Sequence, residues 1–297
     1  MSQATLYVVG SINIDHVYRL SRLPKAGETL HALDYAASLG GKGANQAIAA
    51  ARAGARVNMI GAVGADGAWV CERLAAEGIA IAGIDVLEGT TGHARIEVDA
   101  RGDNRIVLHA GANHRLALES VRRSLAGARR GDWLVLQNET SAVTATAALG
   151  CELGLTVVYS AAPFVPAAAA SVLPHVGLLA VNAIEAMQLS AHLGREPAAL
   201  GVPMTLVTAG AAGARLHARD EVLDTPAWSV TAQDSTGAGD VFLGYLVAAL
   251  ARGCDAPGAM REAAAAAALQ VTRPGAADAI PTRAEVLSFM AAAREHD

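Results

Sequence analysis

The chain has 297 residues, 53% of them hydrophobic, with a formal net charge of −5 and a pI near 6.0. That is enough chain for one large α/β domain, and the acidic balance excludes the broad basic surface that general nucleic-acid binding requires. No window reaches the roughly 18 uninterrupted apolar residues of a membrane span, and Cys71, Cys151 and Cys254 lack the spacing of a zinc site. Met1 to Thr5 carries no basic or long apolar leader pattern. We therefore expect a cytoplasmic protein with reduced thiols and neither a membrane nor a nucleic-acid partner.

Leu6 to Val9 is an apolar run stopped by Gly10, as in a buried strand, and Asn13 to Arg19 alternates like a half-exposed one. Pro24, Gly27 and Glu28 mark a turn before a further exposed strand at His31 to Ser38. Gly40-Gly-Lys-Gly43 breaks the chain ahead of a helix at Ala44 to Ala53, which Gly54 caps. Val57 to Val63 predicts a strand and Ala68 to Glu77 a helix. Ala94 to Asp99 and Asn104 to His109, joined at Arg101-Gly-Asp103, predict a hairpin. From residue 116 helix and strand alternate, with short apolar strands at Trp133 to Gln137, Thr156 to Tyr159, Gly177 to Val181 and Met204 to Thr208. Such alternation is the mark of βαβ units around a parallel sheet. The expected fold class is α/β: one domain over 1–297, a three-layer Rossmann-like body, with a small β-sheet lid from about 12–37 and 91–111.

The most informative segment is Asp234-Ser-Thr-Gly-Ala-Gly-Asp240, followed by the apolar stretch Val241 to Val247. Gly237 and Gly239 permit a tight turn that points backbone N–H groups outward. The helix that follows adds its positive end, which makes an anion site. Asp240 beside that site is poorly suited to holding phosphate, because like charges repel. It is well suited to taking a proton from a hydroxyl that attacks phosphate. A plainer alternative is a glycine turn that merely caps a helix. Gly40-Gly-Lys-Gly-Ala-Asn-Gln-Ala47 is a second glycine-rich turn into a helix. It is not a P-loop, whose Lys precedes Ser or Thr. Lys42 and Asn45 would supply hydrogen bonds to a small polar ligand, or simply decorate a helix N-terminus.

These two motifs, about 190 residues apart and in this order, resemble the two signatures of the ribokinase-like carbohydrate kinases, the PfkB family. Val9 to Asp15, Pro24 to Glu28, His109 to Asn113, Val181 to Glu185 and Val271 to Ala276 match as well, so the likeness spans nearly the whole chain. The resemblance implies transfer of the γ-phosphoryl of ATP to a sugar's primary hydroxyl, with D-ribose giving ribose 5-phosphate. Asp240 is then the catalytic base, and Gly237, Ala238 and Gly239 form the anion hole. Asn13, Asp15, Gly41, Lys42, Asn45 and Glu139 surround the sugar. Asn182 and Glu185 hold Mg²⁺ and phosphate largely through water, and Thr208, Gly210 and Gly213 belong to the nucleotide loop. Asp234, Thr236, Arg273 and Gly275 match the site of an activating K⁺, although Ala279 stands where a Ser side chain often contributes. Homodimerisation through the lid is also implied.

Taken without the resemblance, Asn182 and Glu185 read equally as a helix cap with a first-turn acid, and Glu139 as a first-turn carboxylate. Three other functions stay open at this point. One is a family kinase acting on a nucleoside, fructose or a sugar phosphate, which would need cations such as Arg95 or Arg105 near Lys42. Another is a non-catalytic sugar or nucleotide sensor. A nicotinamide-dependent oxidoreductase is the third, and it lacks the dinucleotide fingerprint.

Overall fold

The computed structural model describes residues 3–218 and 221–294. Its strands are β1 (Thr5–Val9), β2 (Asn13–Arg19), β3 (Asp34–Gly40), β4 (Arg56–Val63), β5 (Ala80–Val86), β6 (Gly92–Val98) and β7 (Asn104–His109). The later strands are β8 (Trp133–Leu136), β9 (Thr156–Ser160), β10 (Leu178–Asn182), β11 (Met204–Thr208), β12 (Ala214–Ala218) and β13 (Glu221–Thr225). The helices are α1 (Lys42–Arg52), α2 (Ala68–Ala76), α3 (Leu118–Ser124), α4 (Val143–Glu152) and α5 (Pro166–Val172), then α6 (Ala183–Leu193), α7 (Ala238–Ala251), α8 (Ala256–Val271) and α9 (Arg283–Arg294).

Two sheets form. Nine strands run in the order β13-β12-β11-β10-β9-β8-β1-β4-β5, parallel from β11 to β5, with β12 and β13 antiparallel at one edge. The central strands are apolar on both faces because both faces are covered. Leu6 and Val8 of β1 point into one core with α1, α2, α7, α8 and α9. Tyr7 and Val9 point into the other with α3, α4, α5 and α6. This is the three-layer α/β/α arrangement the alternation predicts. The second sheet has four strands in the order β3-β2-β6-β7. Its β7 is exposed along its whole length.

Two features differ from the sequence reading. β5 was not expected: Ala80-Ile-Ala-Gly-Ile-Asp-Val86 is rich in small residues, is only half buried, and pairs with β4 alone. The β12–β13 hairpin was not expected either, because its polar residues Arg215, His217, Glu221 and Asp224 mask the alternation at an edge. Among the described residues no helix is long and apolar enough to cross a membrane.

Helices α1 and α7 cross closely at Gly244. A β-carbon built on Gly244 would stand 2.6 Å from the Ala49 β-carbon and 2.8 Å from the Gln46 carbonyl. Gly244→Ala should therefore destabilise the protein. Overpacking of about 1–3 kcal/mol outweighs a gain of up to about 1 kcal/mol in helix propensity. Urea unfolding should show a lowered midpoint with an unchanged slope.

Candidate active site

In the large sheet the strand order reverses at β1: β4 and β5 lie on one side, β8 and its successors on the other. A crevice opens outside the carboxyl ends of strands at such a switch point. Ser11 leaves β1 there, and Gln137 to Glu139 leave the adjacent β8. The Ser11 hydroxyl donates to Glu139 Oε2. The same oxygen accepts the Lys42 backbone N–H at 3.2 Å, and Gly43 N–H donates to Ser11 Oγ at 3.3 Å. The start of α1 is thereby tied to both strands, with Gly41 as its N-cap at φ 92°.

Asp15, on β2, is half-buried. Burial, reinforced by the charge of Glu139, pushes its carboxyl up to about 6. Asn13 is buried at the start of the same strand, and Asn113 fixes its orientation. Asn113 Nδ2 donates to Asn13 Oδ1 at 2.8 Å, while Asn113 Oδ1 accepts the Ile12 N–H at 3.0 Å.

Asp240 lies in the first turn of α7, 8% exposed. Gln46 Nε2 donates to its Oδ1 at 2.8 Å and Asn45 Nδ2 to its Oδ2 at 3.3 Å. Gln137 Nε2 in turn donates to Gln46 Oε1 at 2.7 Å, so a relay of amides runs from β8 to the carboxylate. Gly237 caps α7 in the left-handed conformation, φ 74°, which strains any residue with a β-carbon. First-turn N–H groups have no partner inside a helix. That of Ala238 makes a long 3.3 Å bond to the Ser235 carbonyl. The Lys42 ammonium is held above its ordinary pKa by the charges of Asp240, Glu139 and Glu185.

Lys42, Asn182, Glu185, Thr208, Gly237 and Asp240 line one cavity of about 230 Å³. Asn182 and Glu185 also form a capping box on α6: Asn182 Oδ1 accepts Glu185 N–H at 2.9 Å, and Asn182 N–H donates to Glu185 Oε2 at 2.8 Å. Cap and cavity wall are thus the same pair. Burial, with the nearby charge of Asp240, raises the Glu185 carboxyl. Thr208 ends β11, and the turn Gly210–Ala212 leads to Gly213, which lines a second cavity of about 770 Å³ with His217, Thr225 and Pro226. Asp234, Thr236 and Gly275 do come together. Asp234 Oδ1 accepts the Thr236 N–H at 2.9 Å and the Thr236 hydroxyl at 2.6 Å, and Asp234 Oδ2 accepts the Gly275 N–H at 2.9 Å. The Arg273 guanidinium turns to Glu285 at 2.7 Å.

Five residues that touch this machinery were not singled out from the sequence: Ser11, Gln46, Asn113, Gln137 and Gln270. Gln46 and Asn113 sit inside motifs quoted above, and their neighbours Asn45 and Asn13 were the visible signal. Gln137 and Gln270 are neutral amides at the ends of apolar elements, with no pattern of their own.

The raised Asp15 carboxyl sets a pH dependence of stability. Between about pH 4 and 6 the folded chain keeps a proton that the unfolded chain has released, so the stability tied to that proton is present below the window and lost as pH rises through it. Relative to wild type, Asp15→Asn should gain about 2–3 kcal/mol between pH 4 and pH 7 in denaturant unfolding.

The family model described as pfkB family carbohydrate kinase matches residues 3–283. A ribokinase of Haemophilus influenzae is 37% identical, covering 96% of this chain and 98% of its own. The ribokinase of Cryptococcus neoformans, solved in complex with ADP, superposes with a TM-score of 0.85 at 32% identity, covering 96% of this chain and 99% of its own. That of Arabidopsis thaliana, solved with ribose and ATP, superposes with a TM-score of 0.84 at 27% identity, covering 98% and 99%. A match of this length, on a three-layer fold with an acid at the mouth of a glycine turn, makes this chain a member of the pfkB family of carbohydrate kinases, phosphotransferases with an alcohol acceptor.

Proposed function

We propose that the chain transfers the γ-phosphoryl group of ATP to the primary hydroxyl of D-ribose, forming ribose 5-phosphate. One observation carries this reading: Asp240, gripped by two side-chain amides, shares a single helical turn with the N-terminal N–H groups of α7, which no side chain caps. Base and anion hole would thereby face one reacting oxygen. The Arabidopsis relative solved with ribose and ATP supports the choice of substrates.

In this mechanism Asp240 takes the proton of the attacking hydroxyl. The sugar oxygen attacks the γ-phosphoryl in line, and charge on the transferring group is met by the amides of Gly237, Ala238 and Gly239 and by Lys42. Asn13, Asp15, Gly41, Lys42, Asn45 and Glu139 hold the sugar. Asn45 Oδ1 supports this, being buried with no partner among the described residues and so free to accept a sugar hydroxyl. Asp15 accepts best when ionised, so the KM for sugar should fall as pH rises through about 6.

Thr208, Gly210 and Gly213 edge the nucleotide site, which would run from the smaller cavity to the larger one. Asn182 and Glu185 would hold Mg²⁺ through water. The donor set fits that mode: among the described residues no group of three His, Cys, Asp or Glu can hold a metal directly, and Mg²⁺ keeps several waters. When bound, the ion neutralises phosphate charge. The residues around Asp234 fit a monovalent cation poorly. Carbonyls of Thr236 and Gly275 are already engaged by Gln270, and Ala279 is a buried methyl.

The four-stranded sheet would serve as a lid over the sugar and as the face of a homodimer. Its edge strand β7 exposes Ile106, Val107 and Leu108, an unpaired row open to a partner. A sugar-phosphate acceptor is disfavoured. Arg95 pairs with Glu97 at 2.7 Å and lies over Tyr18, and Arg105 donates to the Pro24 carbonyl, so neither is free near Lys42. Its thiols, free in the structure, fit a cytoplasmic enzyme.

ADP release from MgATP should be stimulated by D-ribose more than by 2-deoxyribose, fructose or adenosine; preference for another acceptor would move the substrate and keep the mechanism. Asp240→Asn should lower kcat by about 10²–10⁴-fold with sugar binding retained, as a sensor protein would not. Sedimentation should give twice the chain mass, and Leu108→Asp should return it to one.

A further inference from the structure

The glycine turn that carries the anion hole is held from behind by one side chain. Gln270, near the end of α8, is fully buried. The two hydrogens of its Nε2 serve three backbone carbonyls, one of them shared: Thr236 at 3.2 Å, Gly275 at 3.0 Å and Ala276 at 3.0 Å. Thr236 directly precedes Gly237, while Gly275 and Ala276 belong to the segment after α8. The orientation of the amide is fixed by chemistry, since only the NH₂ end donates. It holds even though Oε1 is left buried with no hydrogen-bond partner among the described residues. The reversed amide would set its oxygen against three others.

The same two segments are tied a second time by Asp234, which accepts from Thr236 on one side and Gly275 on the other. Converging carbonyl dipoles repel unless something positive lies between them. A desolvated monovalent cation is one solution, and the hydrogens of a buried amide are another.

We propose that Gln270 is a positioning residue for phosphoryl transfer: its side-chain amide cross-links the anion-hole turn to the segment after α8, and this chain consequently needs no monovalent cation. Ala279 agrees with this, because its buried methyl brings no oxygen to the cluster. The proposal rests on the kinase reading above for its rate measurement and stands apart from it in its thermal measurement.

The test compares wild type, Gln270→Ala and Gln270→Met in KCl and in choline chloride at equal ionic strength, by turnover with ribose and MgATP and by thermal unfolding. Wild type should show the same kcat and the same midpoint in both salts. Gln270→Ala opens space among the carbonyls. It should lose about ten-fold or more in kcat in choline, with sugar KM little changed. KCl should restore its rate and raise its midpoint by mass action. Gln270→Met fills the space without a donor, so its loss should persist in KCl. Saturable activation or thermal stabilisation of the wild type by KCl would overturn the proposal, as would full activity of Gln270→Ala in choline. Absence of turnover with ribose would refute the acceptor, and the wild-type midpoints would still decide whether a cation binds.

Discussion

The site depends on how closely α1 and α7 cross. No β-carbon fits at Gly244 without moving Ala49 or the Gln46 backbone, so the two helices meet almost backbone to backbone. That contact sets the amides of Asn45 and Gln46 on the Asp240 carboxylate. It also carries the start of α1, with Lys42, to the same place. Gln137 then links Gln46 to the end of β8, where the strand order reverses. Asp240, Lys42 and the switch point thus form one packed unit, and on the proposed reading precision at the reacting atoms derives from packing far larger than the atoms themselves.

Charge is distributed unevenly around this unit. Asp240, Glu139 and Glu185 all act on the ammonium of Lys42, and Glu139 also acts on Asp15. The acids nearest the sugar side suit a neutral polyol, whose hydroxyls donate. Positive character for phosphate comes instead from the end of α7 and from Lys42, both on the side of the smaller cavity. On the proposed reading, phosphate and sugar chemistry meet at Asp240.

Much of this was legible in the chain because it is written in periodicity and glycine. The buried strands β1, β8, β9, β10 and β11 announce themselves as apolar runs, and β2 and β11 begin and end where the sequence reading places them. The glycine turns before α1 and α7 are visible because glycine has few other uses there. What stayed hidden is what periodicity cannot express. β5 is built from small residues at a sheet edge, and the β12–β13 hairpin is too polar to alternate cleanly. The amides Gln46, Gln137 and Gln270 act through partners 91 or more residues away, or on bare carbonyls. Their role emerges once α1, β8 and α8 are in place. Asn182 and Glu185 show the opposite case: the pair that caps α6, as the sequence suggests, also lines the smaller cavity.

The central claim is that Gln46 serves catalysis by orienting Asp240, and a double-mutant cycle on kcat addresses it most directly. Gln46→Met removes a hydrogen bond to a charged group, a loss of about 1.5–3 kcal/mol, or roughly 10–100-fold in rate. In the Asp240→Asn background the same change should cost almost nothing further, because the carboxylate it positions is gone. Equal losses in both backgrounds would show that Gln46 acts independently of Asp240, and would contradict the account.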